Sequence, residues 1–307
     1  MIKVFSYASS YPFSFILCIL LAAVPSIVWI WVFNKKHREK KSAIILSFIL
    51  GMGSALLVLF YQFYWGRKFN LGFFSLEPIN FQENIHSHFA HPIVIAALVF
   101  LSVGFLEEYL KHWVIKKADQ RYFRCVDDVI ELSIFAALGF AFLENIGYFF
   151  QMILRGQIHN LMSLFVMRSI FVVFIHILCS GIYGYFYGTG YFSKPIFEDE
   201  RKEGKTFLIP EILHRLFHFK RERIFHDEMI SLGLIVSVLL HGLYDFILDV
   251  NLSIGKILNI RFLDNFMLHQ FALPVFLIFG MFFLDKLINK KEDKKIFGHK
   301  VIREDFS

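Results

Sequence analysis

Thiols are scarce in this sequence. Its 307 residues hold three cysteines, Cys18 and Cys179 inside apolar runs and Cys125 in a charged loop, which excludes a disulfide framework and a cysteine-based zinc site. Basic charge is scarce at the start as well: Lys3 alone precedes an uncharged stretch from Pro12 to Phe33, with no small-residue cleavage site after it. That stretch is too long for a signal-peptide core and reads as a retained first span. Solenoid-length repeats are missing, and low complexity is confined to the tail motif "NKKEDKK", so repeat architectures are set aside.

Apolar residues, by contrast, are abundant. They make up 56% of the chain, 40 of them phenylalanine, with a mean hydropathy of +0.55, where soluble domains sit near about 45 to 50%. The composition predicts an all-α, polytopic membrane helical bundle. Scanning for runs of about 20 apolar residues gives seven spans, near residues 12 to 33, 43 to 65, 91 to 115, 129 to 152, 161 to 188, 229 to 249 and 265 to 287.

The basic residues orient those spans. Twenty-four of the 32 Lys and Arg fall in the odd-to-even connections and in the tail from Lys286, against six in the opposite loops; Lys111 and Arg168 lie within spans. The positive-inside rule then puts the amino terminus outside and the carboxyl terminus in the cytoplasm. A pI near 9.1 accordingly reflects anionic lipid at the cytoplasmic face and removes the main support for a nucleic-acid partner. In the longest cytoplasmic segment, 194 to 228, a charged linker leads from Pro210 into Ile212, Leu213, Leu216, Phe217 and Phe219 at helical spacing, the pattern of a helix lying on the membrane.

Ionisable groups deep inside the spans are few and clustered. The third span carries Glu107, Glu108 and Lys111, the fourth Glu144, the fifth Arg168 and His176, and the sixth His241 and Asp245. At a rise of 1.5 Å per residue, Glu107 lies ~12 Å, Glu144 ~22 Å, and His176 and His241 each ~18 Å from the cytoplasmic ends of their helices. In a hydrocarbon core of about 30 Å these depths form one middle layer. Glu107 and Lys111, Phe140 and Glu144, His176 and Ser180, and His241 and Asp245 are each four apart, so each pair shares a helix face.

Such groups are costly. At about 2.5 to 3.5 kcal/mol each, six charged side chains amount to roughly 15 to 20 kcal/mol gross if unpaired, and packing alone is served more cheaply by apolar residues. Lys111 and Arg168 against Glu107, Glu108, Glu144 and Asp245 leave two negative charges, which a divalent cation or two protonated carboxyls balance. Together these residue types suit water activation: a carboxylate near imidazoles takes a proton from water, and a zinc ion on His and Glu lowers that water's pKa. Amide hydrolysis is the chemistry they fit.

Four motifs in order, "EEYLK" (Glu107, Glu108, Lys111), "FAFLEN" (Phe140, Glu144, Asn145), "HILCS" (His176, Ser180) and "HGLYD" (His241, Asp245), resemble those of the PrsW family of bacterial intramembrane proteases. That family is similar in turn to the group of CAAX endopeptidases and bacteriocin-processing or self-immunity membrane proteins, in which His often stands where this chain has Glu144. The resemblance covers about residues 95 to 250. It implies a protease of the bacterial cytoplasmic (inner) membrane acting on a membrane-anchored protein substrate, as in site-1 cleavage of an anti-sigma factor. Glu107 and Glu108 would be the catalytic carboxylates, tuned by Lys111. Glu144, His176 and His241 would position water or hold a metal, zinc being the candidate, and Asp245 would orient or stabilise. Whether a metal or a glutamate with histidines does the work is left open.

The chain then divides into 1–90, two spans and an outer loop; 91–250, a four-span catalytic core carrying the 194–228 insertion; and 251–307, the last span and basic tail. A proton- or cation-coupled transporter would also bring carboxylates and histidines to mid-membrane, and a non-catalytic immunity or binding protein would keep the same fold. Arg168 reads as a structural counter-ion. His86, His88 and His91, like His214, His218 and His226, read as solvated loop residues.

Overall fold

The computed structural model describes residues 11–34, 41–69, 92–119, 122–202, 204, 206–249 and 267–289. Outside these lie the expected outer loop with His86, His88 and His91, the first cytoplasmic loop and the basic tail beyond 289.

The described residues form ten α-helices: α1 Pro12–Asn34, α2 Lys41–Phe69, α3 Pro92–Val114, α4 Val126–Leu154, α5 Leu161–Met167, α6 Val173–Tyr191, α7 Ser193–Lys202, α8 Leu208–Phe217, α9 Arg221–Asp249 and α10 Leu268–Asn289. A π-helical stretch, Ile115–Asp119, continues α3, and a second, Arg168–Val172, joins α5 to α6. The fold is a polytopic helical bundle. Among the described residues, six segments are long and apolar enough to cross a bilayer, from Pro12, Lys41, Val126, Ile158, Arg221 and Leu268. Helix α3, the third of the seven expected spans, matches α1 in its 23 residues but carries Glu107, Glu108 and Lys111 in its second half.

Helix α4 is the central post. It packs against α1, α2 and α6, and Leu132, Phe135, Ala136, Ala137, Leu138 and Ala141 are fully sealed, the pattern of a helix that is apolar all round. Its start is fixed by Asp128, whose carboxylate accepts the backbone N–H groups of Arg124 (2.8 Å) and Cys125 (3.3 Å). These bonds satisfy donors that a helix N-terminus leaves orphaned. Helices α1 and α10 instead expose Phe13, Leu20, Ile27, Ile278 and Phe279, side chains suited to lipid. Pro25 and Pro274 sit inside these two outer helices.

The 194–228 segment is more ordered than its composition suggests. What reads as a charged linker is α7, because Ile196 and Phe197 bury one of its faces. Similarly, α9 begins at Arg221 rather than near 229, because Ile224 and Phe225 pack inward there. The rings of Phe197, Phe207 and Phe225 meet pairwise at 4.9 to 5.6 Å, tying α7, the entry to α8 and the foot of α9 into one knot.

Candidate functional site

The four motif-bearing helices converge. Helices α3 and α9 touch backbone to backbone: a Cβ on Gly104 would lie 3.1 Å from the Gly242 nitrogen, and one on Gly242 would lie 3.0 Å from Leu101 Cα. Glycine at both positions permits this approach, and it sets Glu107 and Glu108, one turn after Gly104, beside His241, which precedes Gly242. Helix α6 joins them through Ser237, whose hydroxyl donates to the Cys179 carbonyl at 2.9 Å.

The side chains form one continuous line. Arg168 Nη2 lies 2.8 Å from Glu144 Oε2, and His176 Nε2 lies 3.1 Å from the same oxygen. On its other side, His176 Nδ1 is 2.9 Å from Lys111 Nζ. Lys111 also donates to Glu108 Oε1 at 2.8 Å, and His241 Nδ1 reaches that oxygen at 2.8 Å too. The far nitrogen of His241, Nε2, faces Glu107 Oε2 at 3.5 Å and Asp245 Oδ2 at 3.6 Å.

Donor chemistry fixes the tautomers along this line. An ammonium has donors only, so His176 Nδ1 accepts from Lys111 and Nε2 carries the proton given to Glu144. Glu108, an acceptor, takes the proton on His241 Nδ1. In the neutral ring, Nε2 of His241 is then the nitrogen with the lone pair, aimed at Glu107 and Asp245.

Burial is graded across the site. Side-chain exposure is 1% at Lys111 and His176, 2% at Glu108, 3% at His241 and 4% at Glu107, but 14% at Glu144 and 26% at Asp245. The interior is sealed and the Glu144 to Asp245 edge is its more exposed side. Phe140 lines the sealed side: Lys111 Nζ sits 4.3 Å from its ring centre, and the His176 ring lies 5.2 Å away. The two imidazoles meet edge to face at 4.9 Å.

Every site residue read from the sequence therefore enters one cluster. Arg168 joins it too, with more contacts than a counter-ion needs: its Nε donates to Asn145 Oδ1 at 2.6 Å and its guanidinium stacks 3.7 Å over the Tyr148 ring. Tyr148 escaped the sequence reading, although its place four residues after Glu144 was a usable signal. Buried hydroxyls on Ser180 and Tyr244 have no hydrogen-bond partner among the described residues.

Three donors from Glu107, His176 and His241 lie within 4.8 Å of one another, one carboxylate and two imidazoles, which is a donor set found in catalytic zinc sites. Glu107 Oε2, buried, accepts no hydrogen bond among the described residues, and Nε2 of a neutral His241 offers a lone pair beside it. His176 is engaged on both nitrogens, so it can ligate only by releasing Lys111 or Glu144. The Glu144, His176, His241 set expected from the resemblance differs by one carboxylate, since Glu144 is held by Arg168 and His176.

Comparison with known proteins agrees with this architecture. A family described as "PrsW family intramembrane metalloprotease" matches residues 39–281. The chain is also similar to "Protease PrsW" of Clostridioides difficile (strain 630), at 24% identity over 237 residues covering 75% of this chain and 79% of that protein. No solved structure matches. With the family match running through α2 to α10 and all four motif helices inside it, this chain belongs to the PrsW family of intramembrane proteases.

Proposed function

We propose that the chain hydrolyses a peptide bond in a membrane-anchored protein, using water activated between Glu107 and His241. The observation that carries this reading is the pairing of a buried carboxylate oxygen that accepts no hydrogen bond among the described residues, Glu107 Oε2, with an imidazole nitrogen 3.5 Å away, His241 Nε2. Glu108 holds the opposite side of that ring, so Nε2 is the nitrogen turned toward Glu107 and Asp245. Glu107 is the general base, Glu108 and Lys111 set the His241 tautomer, and Glu144 sets that of His176. Asp245, at the more exposed edge, orients the substrate or, as the protonated acid, donates to the developing oxyanion.

Glu107, His176 and His241 are also the residues that would hold a divalent ion, zinc by donor type. When bound, such an ion polarises water and carbonyl and so supplies acidity beyond that of the side chains. Held as ligands, Glu107 and His241 would position that ion, whereas without it they act on water directly.

The partly exposed edge at Glu144 and Asp245 is the route for substrate. In the orientation favoured by the basic residues, with the amino terminus outside, it lies in the outer half of the membrane. That position suits cleavage of a single-span protein near its extracytoplasmic end, the class to which anti-sigma factors belong.

The test is cleavage of candidate single-span substrates by purified protein, with Glu107→Gln and His241→Ala as comparators. Both variants are expected to lose cleavage while keeping parental melting behaviour in detergent. If both cut as well as the parent, the proposal fails.

A further inference from the structure

Helix α8 presents an apolar face on which nothing among the described residues packs. Leu208, Ile209, Ile212 and Leu216 share one side of the helix at 74%, 48%, 45% and 64% exposure, and Phe217 and Phe219 extend the stripe into the following turn, stacked at 5.9 Å. The opposite side is used: Pro210 is buried, and the helix packs on α9. Exposed apolar surface of this extent marks a binding face.

Its neighbour is a candidate membrane span. Three residues separate Phe217 from the start of α9, whose apolar run begins two turns further on, near residue 229. The short link cannot carry α8 away. An ion pair at 2.8 Å between Glu211 and Arg221, together with the Phe197, Phe207 and Phe225 knot, clamps α8 to the foot of that span. The turn is closed by His218 in the left-handed conformation (φ 58°) and by His214 Nδ1 donating to the Phe219 carbonyl at 2.6 Å. Charge is one-sided here as well. Between residues 208 and 223 there are four Lys or Arg, with Arg215, Lys220 and Arg223 exposed, against Glu211, which Arg221 engages, and Glu222. The acidic run Glu198, Asp199, Glu200 belongs to α7.

We infer that α8 is an in-plane membrane anchor: its Leu208, Ile209, Ile212, Leu216 stripe sits among acyl chains while Arg215, Lys220 and Arg223 meet anionic phosphate headgroups. An apolar stripe flanked by cations is the form that such interfacial helices take. Because α8 is clamped to α9, the anchor fixes the depth at which α9, and His241 on it, sits in the bilayer.

The test uses the full chain in lipid nanodiscs with an environment-sensitive nitrobenzoxadiazole dye on single cysteines at Leu216→Cys, Ile212→Cys and Arg215→Cys. The background is Cys125→Ser, since Cys18 and Cys179 are buried. In phosphatidylglycerol discs the dye at 212 and 216 is expected to emit to the blue and to be quenched by acyl-brominated lipid more than about twofold over the dye at 215. Water-like emission at 212 and 216 would overturn the inference. Blue-shifted emission without bromine quenching would also overturn it, because another protein surface then covers the stripe. Exchanging phosphatidylglycerol for phosphatidylcholine should weaken the quenching, and the triple variant Arg215→Gln, Lys220→Gln, Arg223→Gln should no longer distinguish the two lipids. Equal quenching of the parent in both would refute the headgroup contact.

Discussion

Lys111 Nζ lies 2.8 Å from Glu108 Oε1, with both side chains at 2% exposure or less. The same ammonium donates to His176, and the same carboxylate accepts from His241. One ion pair thus sets the tautomer of two histidines on two other helices.

Removing its cation should therefore cost stability and activity together. Lys111→Met leaves Glu108 buried without its partner, a change that typically costs about 3 to 5 kcal/mol, and frees His176 to rotate. Lys111→Arg keeps the charge but brings a planar fork in place of a compact ammonium, and is expected to recover part of the stability and little of the cleavage rate. Thermal unfolding in detergent read beside cleavage would check both. A Lys111→Met protein that melts and cuts like the parent would remove the pair from the site.

Arg168 and Glu144 should behave as one unit. The guanidinium is held by Glu144, Asn145 and Tyr148, all within about one turn of α4. Its position at the π-helical turn Arg168–Val172 gives it the extra residue per turn that such bulges insert, a frequent device at functional sites. Arg168→Gln and Glu144→Gln singly are each expected to lower cleavage. The double variant should lose far less than the product of the two, with a coupling of about 1 to 3 kcal/mol. Arg168→Lys should not rescue, since an ammonium neither stacks on Tyr148 as a plane nor reaches Asn145 and Glu144 as a fork. Strictly multiplicative losses would mean that the two residues act apart.

Much of this site was legible in the sequence because charge inside an apolar run is expensive and therefore informative. Glu107, Glu108, Lys111, Glu144, His176, His241 and Asp245 all enter one cluster, as the shared depth and the i, i+4 spacing anticipate. The depth argument gave a layer without an order within it. That Glu108 rather than Glu107 pins His241, or that Lys111 bridges to His176, depends on helix rotation about the Gly104 and Gly242 contact, which periodicity does not encode. Polar groups outside the ionisable set were harder still: Asn145 entered only through the FAFLEN motif and Tyr148 not at all, and their role shows once Arg168 is placed against them. The 194–228 segment misled through composition, since Ile196 and Phe197 are two apolar residues among charges, enough to bury one helix face but too few to dominate a window. Between a transporter and a protease the residue types alone could not decide; the family match does.

Close backbone contact at the centre of the bundle gives a test that bears on the fold alone. A Cβ on Gly51 would run into the Ala136 carbonyl oxygen, and one on Gly139 into that of Phe48, whereas one on Gly53 would meet nothing within 4 Å. Gly51→Ala and Gly139→Ala must therefore push α2 off α4, an overpacking cost of about 1 to 3 kcal/mol or more. Gly53→Ala, two residues away from Gly51, should be neutral or stabilising by up to about 1 kcal/mol from helix propensity. Melting temperatures of the three variants in detergent would check this. Equal effects at 51 and 53 would contradict the α2 to α4 crossing.

Metal dependence separates the two carboxylates that compete for the role of ligand. If Glu107, His176 and His241 hold zinc, chelation should abolish cleavage, added zinc should restore it, and elemental analysis of the parent should find about one ion per chain. Glu107→Gln replaces a carboxylate ligand with a poor one and should lose the ion. Glu144→Gln keeps an oxygen that accepts the His176 Nε2 proton, so it should retain the ion with affinity weakened by about 10 to 100-fold, as befits a group that orients a ligand. The reverse pattern, metal lost with Glu144→Gln and kept with Glu107→Gln, would move the site toward the solvent-facing edge. Retention of full activity after exhaustive chelation would leave Glu107 and His241 to activate water unaided, which the lone pair on His241 Nε2 and the unbonded Glu107 oxygen 3.5 Å from it are already placed to do.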